Sequence, residues 1–193
     1  MVQGENMKRF IIGTDTDVGK TYYGKMLIEK GHKVIKPIET GKEDFQSLSG
    51  SDCHQYSLLQ DLPLKDVNLY FFKVAASPHL TSELDEELIN LDKLKSFIDA
   101  AGECYVELAG GLMVPITRDF SQLDLIKSYP EASVDIVIAN KLGCINHALL
   151  TIKILRDENV KINQVYINNR NESTVLTEDN ERVIMKYLKS SAE

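Results

Sequence analysis

Tryptophan is missing altogether, and the 193 residues hold only three cysteines and five prolines. The lack of tryptophan excludes nothing by itself. Cys53, Cys104 and Cys144 stand apart with no C-x-x-C pair. That argues against a zinc site and against a disulfide framework, and favours buried free thiols in a reducing compartment. No apolar run approaches the ~20 residues needed to cross a bilayer, and no stretch concentrates lysine and arginine. With a net charge of −7 and a pI near 5.2, nucleic acid and anionic membranes are not expected partners. The start, MVQGENMKRF, shows neither a signal peptide's apolar stretch nor its cleavage site. A cytoplasmic protein is expected, with Met7 a candidate alternative start and residues 1–6 a tail.

What is present suits a globular fold. Apolar residues make up 43% of the chain, enough for the core of one domain spanning 1–193. Apolar runs predict strands at Phe10–Ile12, Val34–Ile35, Tyr105–Leu108, Ile136–Ala139 and Val165–Ile167. Amphipathic stretches predict helices near Thr21–Lys30, Asp52–Gln60, Leu91–Ala100, Leu123–Ser128, Asn146–Glu158 and Asp179–Lys189, with Gly31 stopping the first. Strands separated by helices imply right-handed crossovers and a mostly parallel sheet flanked by helices, with ligands at the carboxyl ends of the strands.

Residues 13–21 read GTDTDVGKT, between the first strand and the first helix. A glycine turn in that setting aims backbone N–H groups and a helix dipole at an anion. Asp15, Thr16, Asp17, Val18 and Gly19 form the turn. Lys20 can reach the outer phosphates, and the Thr21 hydroxyl can ligate Mg2+. The expected fold is therefore of the P-loop nucleoside triphosphatase type, with a nucleoside triphosphate and Mg2+ as ligands. Two details refine this. The usual first glycine of the loop is replaced by Thr14, with Gly13 one step earlier. The extra lysine of partitioning and metal-pump ATPases is absent, its place taken by Asp15.

The strands are followed by Lys36-Pro37-Ile38-Glu39-Thr40-Gly41, by Glu107-Leu108-Ala109-Gly110-Gly111 and by Lys141-Leu142-Gly143-Cys144-Ile145-Asn146-His147, with Ser51-Asp52 and Ser77-Pro78-His79 between. Together with GTDTDVGKT, this ordered set closely resembles the dethiobiotin synthetases, from about Phe10 to Asn169. The resemblance implies an ATP-dependent ligase of biotin biosynthesis. Its substrates would be 7,8-diaminononanoate (7,8-diaminopelargonate), CO2 and MgATP, joined through a carbamate and a carbamic–phosphoric anhydride.

By the same resemblance, Lys20 spans the phosphates and Thr21, Asp52 and Glu107 form the Mg2+ shell. Lys36 stands beside the carbamate, with Thr16 and Thr40 near the substrate's amines. Lys36, Lys20 and Thr16 thus make up the implied catalytic group. Gly110 and Gly111 approach the terminal phosphate. Asn168 reads the base, and Gly143, Cys144, Ile145 and Asn146 reach across a homodimer to the substrate's tail carboxylate. His79 and His147 read as hydrogen-bonded structural residues. Two other readings compete. A cobyrinic acid amide synthase would need a glutamine-hydrolysing domain for which there is no room. A nucleotide-switched dimer controlling a partner protein would leave Lys36 and LGCINH without a role.

The chain departs from the family in three places. Leu108 stands for a glycine, so it either crowds the metal site or points into the core. Asp17 stands for a glutamate. No proline follows Pro130, whereas many members continue into a proline-bearing loop over the base. A base pocket open on one side is expected.

Overall fold

The structure is a computed structural model that describes residues 7–41, 50–170 and 173–190. Its centre is a five-stranded sheet of β1 (Lys8–Gly13), β2 (Val34–Ile35), β5 (Cys104–Gly111), β8 (Ser133–Ala139) and β9 (Lys161–Asn168). The order is β2-β5-β1-β8-β9, and every neighbouring pair is parallel. All five strands expected from apolar runs are in this sheet.

Side chains alternate between the two faces of a strand, and that alternation divides the core. Phe10, Ile12, Val106, Leu108, Val134, Ile136 and Ile138 pack on one face, with Leu94 and Ile98 of α4 (Leu91–Ala100), Ile152 of α6 (Cys144–Asp157) and Ile184 of α7 (Val175–Lys189). Ile11, Val34, Tyr105 and Val137 pack on the other, with Tyr23 and Leu27 of α1 (Lys20–Glu29) and Cys53 and Tyr56 of α2 (Asp52–Gln60). Glu107 lies one residue from Leu108, so it belongs to the α1/α2 face.

The expected helices all form. Gly31 takes a positive φ of 85°, and its N–H reaches Ile28 O at 2.8 Å, ending α1 as expected. The last helix begins earlier than expected, at Val175, where Thr174 and Thr177 close a capping box.

Several elements escaped the sequence reading. These are the paired two-residue strands β3 (Ile38–Glu39) and β4 (Tyr70–Phe71), the short helix α3 (Pro78–Leu84), and the hairpin β6 (Pro115–Thr117) with β7 (Phe120–Ser121), which precedes α5 (Gln122–Lys127). Two-residue strands are too short to display a period. Helix α3 is announced only by Pro78 at its first turn.

Candidate functional site

The turn after β1 wraps toward α1. Gly19, with φ of 102°, caps α1, which starts at Lys20. The Asp15 carboxylate accepts the Thr16 N–H at 2.7 Å, and the Lys20 Nζ donates to Asp15 O at 3.2 Å. Thr16, Asp17, Gly19, Lys20, Thr21, Lys36, Ile38, Thr40, Asp52, Glu107, Ala109 and Gly110 line one cavity of about 400 Å³. Residues separated by more than ninety positions in sequence therefore converge at the carboxyl ends of β1, β2 and β5, as the parallel-sheet rule requires. Val18, within the loop, is buried and does not line the cavity. Gly111 pairs with Gly13 in the sheet and does not line the cavity.

Charge dominates this cavity. Lys36 is 8% exposed and Glu107 1%. The Lys36 ammonium donates to Asp52 and stands 3.0 Å from Glu107 Oε1. Burial alone would lower the Lys36 pKa, but Glu107, Asp52 and Glu39 outweigh it and hold the amine above the ordinary lysine range. Lys20 goes the other way. Burial pulls its pKa down and Lys36 adds to that, while Glu107 and Asp52 offset part of it. Two ammonium groups, of Lys20 and Lys36, thus share a cavity with Asp17, Asp52 and Glu107.

Glu107 carries the test of the metal reading. Its Oε1 is buried without a hydrogen-bond donor, although Lys36 lies in ionic contact. Among the described residues, no group of three His, Cys, Asp or Glu is clustered to hold a metal alone. Two carboxylates and the Thr21 hydroxyl fit instead an ion that nucleotide phosphates and water help to bind, the usual situation of Mg2+.

Asp52 could have served merely as a helix cap. Instead the cap is Ser51, whose side chain accepts the His54 N–H, and the Asp52 carboxylate is turned to Lys36. Leu108 is 6% exposed within the core cluster, so it points away from the carboxylates and does not crowd them.

Asn168, at the end of β9, lies beside the loop. Its Nδ2 donates to Val18 O at 3.1 Å, and its Oδ1 accepts the Arg170 N–H at 3.1 Å. A side chain at Gly19 would overlap that amide, so Gly19 allows both the left-handed turn and the contact. Asn168 lines an adjoining open cleft of about 730 Å³ with Tyr22, Tyr166, Ile167, Asn169, Arg170 and Ser173. Gly143, Cys144, Ile145 and Asn146 form the start of α6, with Gly143 as its cap, and they do not line the 400 Å³ cavity.

Cys53, Cys104 and Cys144 are all free and buried, as expected. Burial and the neighbouring Glu39 push the Cys53 thiol up to about 12, which removes it as a nucleophile at neutral pH. His79 bonds Ser77 at 3.0 Å, as expected of a structural histidine. His147 is exposed on α6, and among the described residues its ring has no hydrogen-bond partner, contrary to expectation.

Two supporting residues were missed. Glu39, 2% exposed, accepts the N–H groups of Asp52 and Cys53, each at 2.8 Å. Tyr56 donates its hydroxyl to Glu107 Oε2. Glu39 stood within the quoted Lys36-to-Gly41 stretch but was given no role, and Tyr56, a tyrosine inside a helix, carries no motif. Tyr56 crosses α1 at Gly24, where any Cβ would overlap its hydroxyl. Gly24→Ala should therefore lower stability by about 1–3 kcal/mol through overpacking, against the gain of about 1 kcal/mol that helix propensity alone predicts. Thermal denaturation decides the sign, and a raised midpoint would contradict the close approach.

A family model described as an AAA domain matches residues 8–191. The curated ATP-dependent dethiobiotin synthetase BioD of Francisella tularensis subsp. tularensis (strain WY96-3418) is 37% identical over 186 residues, covering 87% of this chain and 79% of that protein. The one from Legionella pneumophila (strain Corby) is 33% identical over 192 residues, covering 95% and 90%. Among solved structures, a ParA family ATPase from Chlorobium tepidum TLS aligns with a TM-score of 0.51 at 14% identity, over 93% of this chain and 81% of that one. That last likeness bears on the fold alone, a parallel sheet of the phosphate-loop ATPase type. Matched over most of its length by synthetases more than 30% identical to it, the chain belongs to the dethiobiotin synthetase family.

Proposed function

We propose that this chain carries out the MgATP-dependent carboxylation and ring closure of 7,8-diaminononanoate to dethiobiotin. The observation that carries the reading is the convergence of Lys20, Lys36, Asp52 and Glu107 with the phosphate loop in one cavity. In the reaction, an amine of the substrate captures CO2 as a carbamate. A carbamate oxygen attacks the terminal phosphorus, ADP leaves, and the second amine closes the ring on the carbonyl carbon as phosphate departs. No covalent bond to the protein is needed, so the chain's part is placement and charge.

The loop N–H groups and Lys20 hold the triphosphate. Lys36, kept cationic by its carboxylates, meets the carbamate and then the anhydride, with Thr16 and Thr40 orienting the amines. Thr21, Asp52 and Glu107 would hold Mg2+, which neutralises charge across the outer phosphates when bound. Gly143 to Asn146, at the start of α6, would take the tail carboxylate of a substrate in the other subunit of a homodimer through N–H groups beyond Cys144's, which Lys141 O accepts at 3.0 Å. Leu142 is 83% exposed and Leu150 52% beside that stretch, which suits burial in such a dimer.

The alternative, a nucleotide-switched dimer, makes a different demand. Under the synthetase reading the diamine stimulates ATP hydrolysis, whereas a switch responds to a protein or DNA and ignores the diamine.

The adjoining cleft supports a prediction about the nucleotide. The Asn168 amide is tied to Val18 and Arg170, and the Asn169 Oδ1 accepts from Asn140 at 2.7 Å. Both carboxamide oxygens already hold a donor, and the cleft is open, with Tyr22 57% exposed at its edge. GTP and CTP should each support a substantial share of the ATP rate. Steady-state rates at matched concentrations check this, and a preference for ATP above a hundredfold, roughly 2.7 kcal/mol, would contradict it.

A further inference from the structure

We propose that Tyr56 is a positioning residue that leaves Glu107 a single oxygen, Oε1, to face the nucleotide's divalent cation. This rests on the reading of Glu107 as a ligand of that cation. The two side chains are buried, at 0% and 1% exposure. The Tyr56 hydroxyl donates to Oε2 and lies 3.4 Å from Thr21 O, so it sits between the two elements that bring Glu107 and Thr21 together. Oε1 receives no hydrogen bond and lies 3.0 Å from the Lys36 ammonium.

A carboxylate with both oxygens free can rotate or chelate through both. One whose Oε2 is pinned presents one oxygen in a fixed direction, as the strict octahedron of Mg2+ demands. Helix α2 performs both tasks, because Asp52 and Tyr56 are four residues apart and share a face. The first supplies a carboxylate directly and the second fixes another across the gap that Gly24 leaves open.

The test is calorimetric titration of MgCl2 into protein saturated with ADP, with no turnover, for the wild type, Tyr56→Phe, Glu107→Gln and the double variant. Tyr56→Phe should weaken Mg2+ binding about tenfold, within the range found for outer-shell partners. Its affinity for ADP in EDTA should stay within about twofold, which separates positioning from general loosening of the site. In the Glu107→Gln background the tyrosine change should add less than about twofold.

Unchanged Mg2+ affinity in Tyr56→Phe, or the same loss with and without Glu107, overturns the proposal while the cation reading stands. An unchanged affinity in Glu107→Gln overturns both. Should a variant not fold, infrared spectra of wild-type protein with ring-13C tyrosine decide. One tyrosine C–O band should shift when Mg2+ joins the ADP complex, and unmoved bands overturn the proposal.

Discussion

Lys36→Gln is expected to reduce turnover by about 10² to 10³-fold, the cost of deleting one preorganised group that meets developing charge. Nucleotide affinity should change less than about threefold, because Lys20 and the loop N–H groups hold the phosphates without it. The structure adds a second effect. Lys36 pairs with both Asp52 and Glu107, and Glu107 is almost wholly buried. Removing the ammonium leaves that carboxylate uncompensated, and breaking a buried pair costs about 3–5 kcal/mol. Asp52 is partly exposed, so the lower end applies. The variant should melt at a lower temperature, and MgADP should raise the midpoints of both proteins by similar amounts. Single-turnover kinetics with ADP titration checks the first effect and calorimetry the second. If affinity fell and turnover held, Lys36 would be a phosphate residue and its assigned role wrong.

Lys20→Ala should lower kcat/KM by a similar 10² to 10³-fold, but chiefly through nucleotide binding. Lys20 is 8% exposed, and burial with Lys36 nearby lowers its pKa. A desolvated ammonium beside another cation gains most when a polyanion enters. ADP affinity should therefore fall steeply here, in contrast to Lys36→Gln. Lys20→Arg should not rescue it, since a planar fork cannot replace a point charge in the turn where Nζ meets Asp15 O. Equal losses in the two lysine variants would mean that they share one role.

Much of this was legible in the sequence, for reasons that can be named. β1, β2 and β8 are apolar runs because both faces are covered, whereas β9 at the sheet edge keeps only a short apolar stretch, Val165–Ile167, and the loop, KPIETG and ELAGG stand at or beside strand ends. Local order also made the loop readable, since glycine, lysine and threonine act within one turn. Pairwise packing was not readable. Nothing in KPIETG indicates that Glu39 accepts two N–H groups from the start of α2. Nor does DCHQYS indicate that its tyrosine reaches Glu107 past a glycine of another helix. The direction of Leu108 needed the sheet, after which alternation decided it. Asn168 was expected to read a base, and its sequence position does not reveal that its amide also buttresses the phosphate loop, a contact that joins residues 150 positions apart.

The most direct test of the proposed function is mass-spectrometric detection of dethiobiotin from diaminononanoate, bicarbonate and MgATP, with Lys20→Ala as control. The account predicts product with the wild-type protein and none with the variant. A wild-type protein that binds ATP but forms no dethiobiotin would contradict it, leaving the phosphate-loop fold in place and the synthetase reading without support.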